Sequence, residues 1–432
     1  MRSGNSASQF RNVNNNGNAN NNNATYGNVW QRPAMATRDA RRHGRRPLNT
    51  KAQRPASHGR RAIVDLSIYR IRVAYGDTAK GKRNESNQQR IRYRFEEWSF
   101  GLQAELRDGT FRPSPFRIKQ IYFPKPRTAQ VPNVRDKTVQ NLLFQGSTYD
   151  DLTRSLIKES TANTRGRGTD YARALLKRQL QSFWAKYHVQ PWVLKADVHG
   201  FFASIPAEGA AALVERYVTD GQAREIMRLF IANSPKGLPL GLRQSQALAN
   251  LYLSELDHLT KERWHFRYYQ RHMDDFLILS PDRERLEAYL VWLEDYLAGI
   301  GLELNPKTGI TFNRFDYLGF EYRMTETGKV VARMAKGKRA KKNRHLRRMV
   351  AELERGEITP EKFAERHFGW RLHALKGNTR NMVRNTDRRM NARLNQIGYQ
   401  LRIVRHRGGK VHWRVVVEPL GGISCHQGIS HS

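Results

Sequence analysis

Arg267-Tyr-Tyr-Gln-Arg-His-Met-Asp-Asp-Phe-Leu-Ile-Leu-Ser280 sets two adjacent carboxylates, Asp274 and Asp275, between an aromatic-rich run and the apolar run Phe276–Leu279. That pattern predicts two short strands joined by a tight turn, with the acids at the bend. Paired acids beside apolar strands are costly unless something positive neutralises them. No Lys or Arg lies inside the turn, so a divalent cation is the natural compensator. Alone, an Asp-Asp pair also suits an exposed loop. A second acid in an equally apolar setting changes the balance. In Trp192-Val-Leu-Lys-Ala-Asp-Val-His-Gly-Phe-Phe-Ala-Ser-Ile-Pro206, residues 192–198 read as a strand with Asp197 at its end, although an Asp there also suits a helix N-cap or a turn. Together, a strand-end Asp and a hairpin pair suit two Mg²⁺ ions about 3.5–4 Å apart, the arrangement that clamps an in-line phosphoryl displacement. One ion activates an attacking hydroxyl and the other stabilises departing pyrophosphate.

Asp197-x-x-x-Phe201-Phe202, followed downstream by Met273-Asp274-Asp275, resembles motifs A and C of the reverse transcriptases. Between them, Gly237-Leu-Pro-Leu-Gly-Leu-Arg-Gln-Ser-Gln-Ala-Leu-Ala-Asn-Leu-Tyr252 resembles motif B. Its Leu240-Gly241-x-x-x-Ser245-Gln246 form is similar to the variant of reverse transcriptases from diversity-generating retroelements, where most relatives carry Gln-Gly-x-x-x-Ser-Pro. The resemblance spans residues 63–378; His272 departs from the Tyr or Ala common at that position. It implies an α+β right-hand polymerase fold, with fingers over 62–189, a palm with an antiparallel sheet over 190–334 and a basic helical thumb over 335–399. A C-terminal hairpin and tail occupy 400–432. It also implies that Asp197, Asp274, Asp275 and the backbone of Val198 hold the two Mg²⁺ ions while a primer 3′-hydroxyl attacks a dNTP.

Composition agrees with a polyanionic partner. The net charge is +37, far beyond what solubility requires. Residues 1–62 carry twelve cations against one acid, and 336–415 carry 23 against six, so the ends are the basic parts. One cysteine, Cys425, excludes an intramolecular disulfide and disfavours a Cys-based zinc site. No apolar run approaches a membrane span or a signal peptide. The expectation is a soluble cytoplasmic protein.

Residues 1–61 read as a disordered arm, Asn-rich and then basic, with too little apolar surface to offset ordering entropy. Phe10-Arg-Asn-Val-Asn-Asn-Asn-Gly-Asn-Ala-Asn-Asn-Asn-Asn-Ala24 also resembles a translated repeat rich in AAC codons, as in the template repeats of these retroelements. On that reading the frame runs into the repeat and Met35 is an internal start.

Residues 63–117 read as helical, ending at the turn Asp108-Gly109. A strand through Ile118 and Ile121 leads to Pro124-Lys-Pro-Arg127, and Val134 opens a helix. By resemblance Arg127 grips the incoming triphosphate, with Lys125 and Arg135 as further candidates; without the family, each reads equally as a surface cation. Ser160–Thr169, rich in Gly and Arg, fits a loop facing template or nucleotide.

Adjacent phenylalanines usually mean core packing. The family position makes Phe202 the steric gate against a ribose 2′-hydroxyl and leaves Phe201 to the core. Leu240 stands where retroviral relatives have Gln; an apolar side chain cannot hydrogen-bond the nucleotide, so fidelity opposite adenine is expected to fall. Gln246 completes the nucleotide-side set.

Residues 282–300 read as an amphipathic helix. Leu302-Glu-Leu-Asn-Pro-Lys-Thr308 resembles motif D, with Lys307 as general acid toward pyrophosphate or as an ordinary loop lysine. Phe315-Asp-Tyr-Leu-Gly-Phe320 resembles motif E, whose Leu318, Gly319 and Phe320 form a primer grip; a buried strand is the plainer reading. Basic helices follow, then a hairpin around Arg407-Gly-Gly-Lys410 and a disordered last dozen residues.

The family implies a template RNA, the RNA/cDNA duplex, dNTPs and a small basic oligomeric accessory protein as partners. A retron, group II intron or phage-defence reverse transcriptase, and a non-catalytic RNA-binding protein on this fold, are the alternatives.

Overall fold

A computed structural model describes residues 64–80, 86–121, 127–234, 236–408 and 410–420. The expectations for the N-terminal arm, for Lys125 and for the C-terminal tail lie outside the described residues.

Three helices open the described chain: α1 (Ile68–Ala79), α2 (Ser86–Tyr93) and α3 (Phe95–Arg107). The Ser67 side chain caps α1 by accepting from the Arg70 amide. Strands β1 (Arg117–Ile121) and β2 (Arg127–Val131) pair antiparallel and lead into α4 (Val134–Leu143), capped by Asn133. Helices α5 (Thr148–Thr153) and α6 (Thr169–Tyr187) follow. Then come β3 (Trp192–Asp197), α7 (Phe201–Ser204), α8 (Ala207–Tyr217), α9 (Gly221–Ala232) and α10 (Arg243–Tyr252). Gln244–Leu259, whose Leu248, Leu251, Tyr252 and Leu256 recur at helical spacing, breaks at Leu253: α11 (Ser254–His258) restarts the helix and a π-helical turn, Leu259–Arg263, ends it.

Next are β4 (Tyr269–His272), β5 (Asp275–Ser280), α12 (Arg283–Gly299), β6 (Gly309–Phe312), β7 (Phe315–Tyr317), β8 (Phe320–Met324) and β9 (Val330–Met334). The C-terminal part is α13 (Lys336–Glu354), α14 (Pro360–Ala374), α15 (Arg380–Gln396) and the hairpin of β10 (Tyr399–Gly408) and β11 (Lys410–Pro419).

The central sheet is antiparallel with order β4-β5-β3-β6. Side chains alternate across it, so its two faces are separate in sequence. Leu194, Ala196, Phe276 and Ile278 join one core with residues of α8, α9, α10 and α12, among them Val214, Met227, Leu248 and Tyr289. Val193, Leu277 and Leu279 join another with Leu176, Leu180 and Phe183 of α6 and with Phe315, Tyr317 and Phe320 of the β7-β8-β9 sheet. Burial on both faces explains why β5 is apolar without interruption. Each large side chain so buried contributes about 1.5–3 kcal/mol.

The first core continues into the N-terminal helices through Ile71, Leu102, Val139 and Leu142. The basic C-terminal helices have a core of their own, Leu346, Met349, Phe363 and Leu394, and the hairpin's Val415 and Val417 belong to it. Among the described residues no helix is long and apolar enough to cross a membrane.

Candidate active site

Antiparallel pairing in register, Trp192 with Ser280 through to Asp197 with Asp275, carries the strand-end acid to the hairpin acids. Beyond the ladder, the Val198 amide donates to the Asp274 carbonyl at 3.3 Å. The Asp197 carboxylate lies close enough to Asp274 for its charge to act on it. Burial, the Asp197 charge and then the Asp275 charge raise Asp274 to a pKa of about 6. Two carboxylates in contact can share a proton or a cation; they do not both stay bare.

Asp275, the direct cross-strand partner of Asp197, shares its face of the sheet. It is close enough to push the buried Tyr317 hydroxyl upward, after burial itself. No three His, Cys, Asp or Glu side chains form a ready cage among the described residues. Mg²⁺ typically needs only one or two protein carboxylates plus substrate phosphates, so the Asp197–Asp274 pair fits a hard divalent cation. The Val198 carbonyl, beside them, accepts no hydrogen bond among the described residues.

The segment expected to carry a general acid sits against this strand end. Asn305 donates its amide to the Asp197 carbonyl at 2.6 Å, the Asp197 amide donates to Thr308 Oγ1 at 3.3 Å, and Val198 bridges Leu304. Lys307 is exposed on that loop.

Phe201 is buried, and Phe202 is half-buried and packs against the same core. The Leu238 amide donates to the Phe202 carbonyl at 2.7 Å and fastens the motif-B loop to the Phe202 segment. Gly237 makes this possible: its φ is +56°, and an added Cβ would lie 2.5 Å from the Phe202 oxygen and 2.6 Å from that of Ala203. We expect Gly237→Ala to cost about 1–3 kcal/mol from the left-handed backbone alone, and more from the clash, read as a lower urea midpoint.

Leu240 and Gln246 are half-buried, and the Gly241 turn abuts the Gln130 carbonyl of β2, the strand that begins at Arg127. Phe202, Leu240 and β2 therefore converge.

Arg135 has a different setting. It pairs with Glu105 and Asp136, donates to the Arg112 carbonyl at 3.0 Å and stacks on Phe111 at 4.4 Å. Those bonds join α3 to α4.

The Gly/Arg-rich loop also differs from expectation. Its first residues, Ser160–Ala162, are buried, and Ser160 forms a parallel bridge with Arg271 along the edge of β4. Thr161 donates its amide and hydroxyl to the Arg271 carbonyl, both at 2.9 Å, and its hydroxyl also meets His272 Nδ1 at 2.9 Å. Beyond them, residues 163–168, which include Gly166 and Gly168, form a loop of bends and turns.

At the β7–β8 turn, Leu318 and Gly319 take positive φ. Phe320 is buried against His373 at 5.3 Å between ring centroids. Gly377 allows this approach, since its Cβ would lie 2.5 Å from the Phe320 ring. Arg173 of α6, absent from the sequence reading, donates to the Leu318 carbonyl at 2.9 Å and lies over Phe320 at 5.2 Å.

Arg271 and Asp257 were missed as well. The compensating cation absent from the turn reaches it from β4: the Arg271 guanidinium is fully buried and donates to the Met273 carbonyl at 2.9 Å. Its charge is matched by Asp257, so the Asp197–Asp274 pair keeps its own charge. A lone Arg in the short strand Tyr269-Gln-Arg-His272 was the available signal.

An antiparallel sheet thus presents neighbouring carboxylates beside a glycine-fastened loop. Residues 124–322 match the family model "Reverse transcriptase (RNA-dependent DNA polymerase)", so the chain carries a reverse transcriptase domain, and the α+β right-hand class expected from the sequence is the fold observed. Over 86 residues the chain is 30% identical to the Gag-Pro-Pol polyprotein of Mason-Pfizer monkey virus, covering 20% of this chain and 5% of that one. Among solved structures, telomerase from Candida albicans aligns at a TM-score of 0.41 with 13% identity, covering 51% of this chain and 47% of that one. Apo telomerase from Candida tropicalis, truncated from its C-terminal domain, aligns at 0.39 with 12% identity, over 51% and 56%. The chain thus spans a small part of the polyprotein and about half of each telomerase chain. Reverse transcriptases generally use divalent metal ions.

Proposed function

We propose that this chain is the reverse transcriptase of a diversity-generating retroelement, copying a template-repeat RNA in the cytoplasm into cDNA with errors concentrated at adenines. The observation that carries the polymerase reading is the meeting of Asp197 with the Asp274-Asp275 turn, brought from distant segments by strand pairing under a reverse transcriptase match. The retroelement reading rests on Leu240-Gly241-x-x-x-Ser245-Gln246 and on the Asn-rich run of residues 10–24.

On this reading Asp197, Asp274, Asp275 and the Val198 carbonyl would hold two Mg²⁺ ions. The ions supply Lewis acidity and lower the pKa of the primer 3′-hydroxyl. Phe202 lies under the deoxyribose and excludes a 2′-hydroxyl. Arg127 and Lys125 bind the triphosphate, and Arg135 supports them by holding α4 in place. Leu240 and Gln246 contact the nascent pair, and Lys307 donates a proton to leaving pyrophosphate. Leu318, Gly319 and Phe320 shape the primer side, kept in place by Arg173. Fingers occupy 62–189, the palm 190–334 and the thumb 335–399, with the hairpin up to residue 420 packed as part of the thumb. Exposed cations of α13 and α15 such as Lys341, Arg344, Arg384 and Arg388 track duplex phosphates, so binding weakens steeply with salt. A small basic oligomeric accessory protein completes the particle.

Primer extension by the purified chain on an RNA template tests the polymerase. Sequencing its cDNA tests the retroelement assignment: errors at template adenines should exceed those at other bases. Leu240→Gln should lower adenine errors about tenfold, the scale of one net hydrogen bond. Equal, low adenine error rates in both proteins would overturn the assignment.

A further inference from the structure

Met273 is a non-glycine residue at φ +61°, directly before Asp274. A side chain in the left-handed region persists only where its surroundings hold it there. One group does so from below. Arg271 Nη1 donates to the Met273 carbonyl at 2.9 Å and to Asn250 Oδ1 at 3.2 Å, while Nη2 donates to the Asn250 carbonyl at 3.0 Å. Nε and Nη2 form a two-pronged pair with the Asp257 carboxylate at 2.7 and 2.6 Å. Both side chains are fully buried. Tyr269 donates to the same Asp257 oxygen, and Asn250 donates to the Ala162 carbonyl at 2.8 Å.

From the far side, Asn163 approaches the Met273 sulfur at 3.2 Å. The turn carrying Asp274 is therefore gripped through Met273 by a guanidinium whose own orientation is set by α11 and α10.

We propose that Arg271, aimed by Asp257, is a positioning residue of the polymerase reaction: it holds the Met273 carbonyl and so places the Asp274 carboxylate against Asp197. The proposal rests on the polymerase reading above. A planar fork can hold carboxylate and carbonyl at once, whereas a lysine ammonium cannot span both. Misplacement of a reacting group by about 1 Å costs on the order of 10²-fold in rate, and loss of an outer support typically costs 10–100-fold in metal affinity.

The test uses the full chain and two variants, Arg271→Lys and the charge-neutral double Arg271→Met/Asp257→Leu. Three readouts are needed: thermal midpoint, kcat and KM for dNTP in primer extension, and Mn²⁺ affinity of the nucleic-acid-free protein by electron paramagnetic resonance. The double variant is expected to stay folded, since the buried charges leave together, with kcat about 10²-fold lower, KM for dNTP within about twofold and Mn²⁺ affinity at least tenfold weaker. Arg271→Lys should show the same split, at about tenfold in kcat, and decides the matter alone if the double variant does not fold. A folded variant with wild-type kcat and Mn²⁺ affinity, or with only KM raised, overturns the proposal. An inactive wild-type chain instead overturns the polymerase reading, while Mn²⁺ affinity still reports on Arg271.

Discussion

Asp274→Asn is expected to cut primer extension by about 10³-fold or more, roughly 4 kcal/mol of transition-state stabilisation, while making the metal-free protein more stable at neutral pH. The two effects share one cause. Burial and the adjacent Asp197 charge raise the Asp274 pKa from 3.8 to about 6. A folded-state acid raised above its unfolded value favours folding while protonated, and that contribution is lost as pH climbs from about 4 through about 6. At about 1.4 kcal/mol per unit, the charged carboxylate costs about 3 kcal/mol above that window.

Urea unfolding in EDTA should therefore find Asp274→Asn close to wild type near pH 3.5 and about 3 kcal/mol more stable at pH 8. Mg²⁺ should narrow the gap by stabilising wild type alone. Equal stability of the two proteins at pH 8, or extension that survives the substitution, would remove the Asp197–Asp274 pair from the centre of the reaction.

The second large effect is on stability. Asp257→Ala leaves the Arg271 guanidinium buried with no carboxylate. Removing one partner of a buried ion pair costs about 3–5 kcal/mol because the remaining charge is stranded. Arg271→Met alone should cost a similar amount by stranding Asp257. Combined replacement of both by apolar residues should recover most of the loss, giving a coupling of about 2 kcal/mol or more in a double-mutant cycle. Additive losses would mean that the two side chains do not act as a pair. The expectation is testable by equilibrium denaturation without any polymerase assay.

The strands were legible because their alternation is local. Trp192–Asp197, the hairpin about Met273-Asp274 and α12 all lie where periodicity and turn chemistry put them. Ser160–Ala162 was not legible, because its bonding partner is the edge of β4, more than a hundred residues away. Nor was the break at Leu253, where a continuous apolar period is interrupted by tertiary packing of α11. Arg135 read as a free cation until Glu105 and the Phe111 ring supplied its partners.

By itself the amino-acid order determined the acids that meet, since strand period and motif order are properties of neighbouring residues. It also determined the electrostatic character of the ends, because charge is a sum over residues and needs no coordinates. Only the tertiary structure decided that burial beside Asp197 raises the Asp274 pKa, that the Phe202 and Leu240 segments are bolted together through Gly237, and that a buried Arg271–Asp257 pair underlies the turn. Each depends on distance and burial between segments far apart in the chain, and no local pattern encodes either quantity.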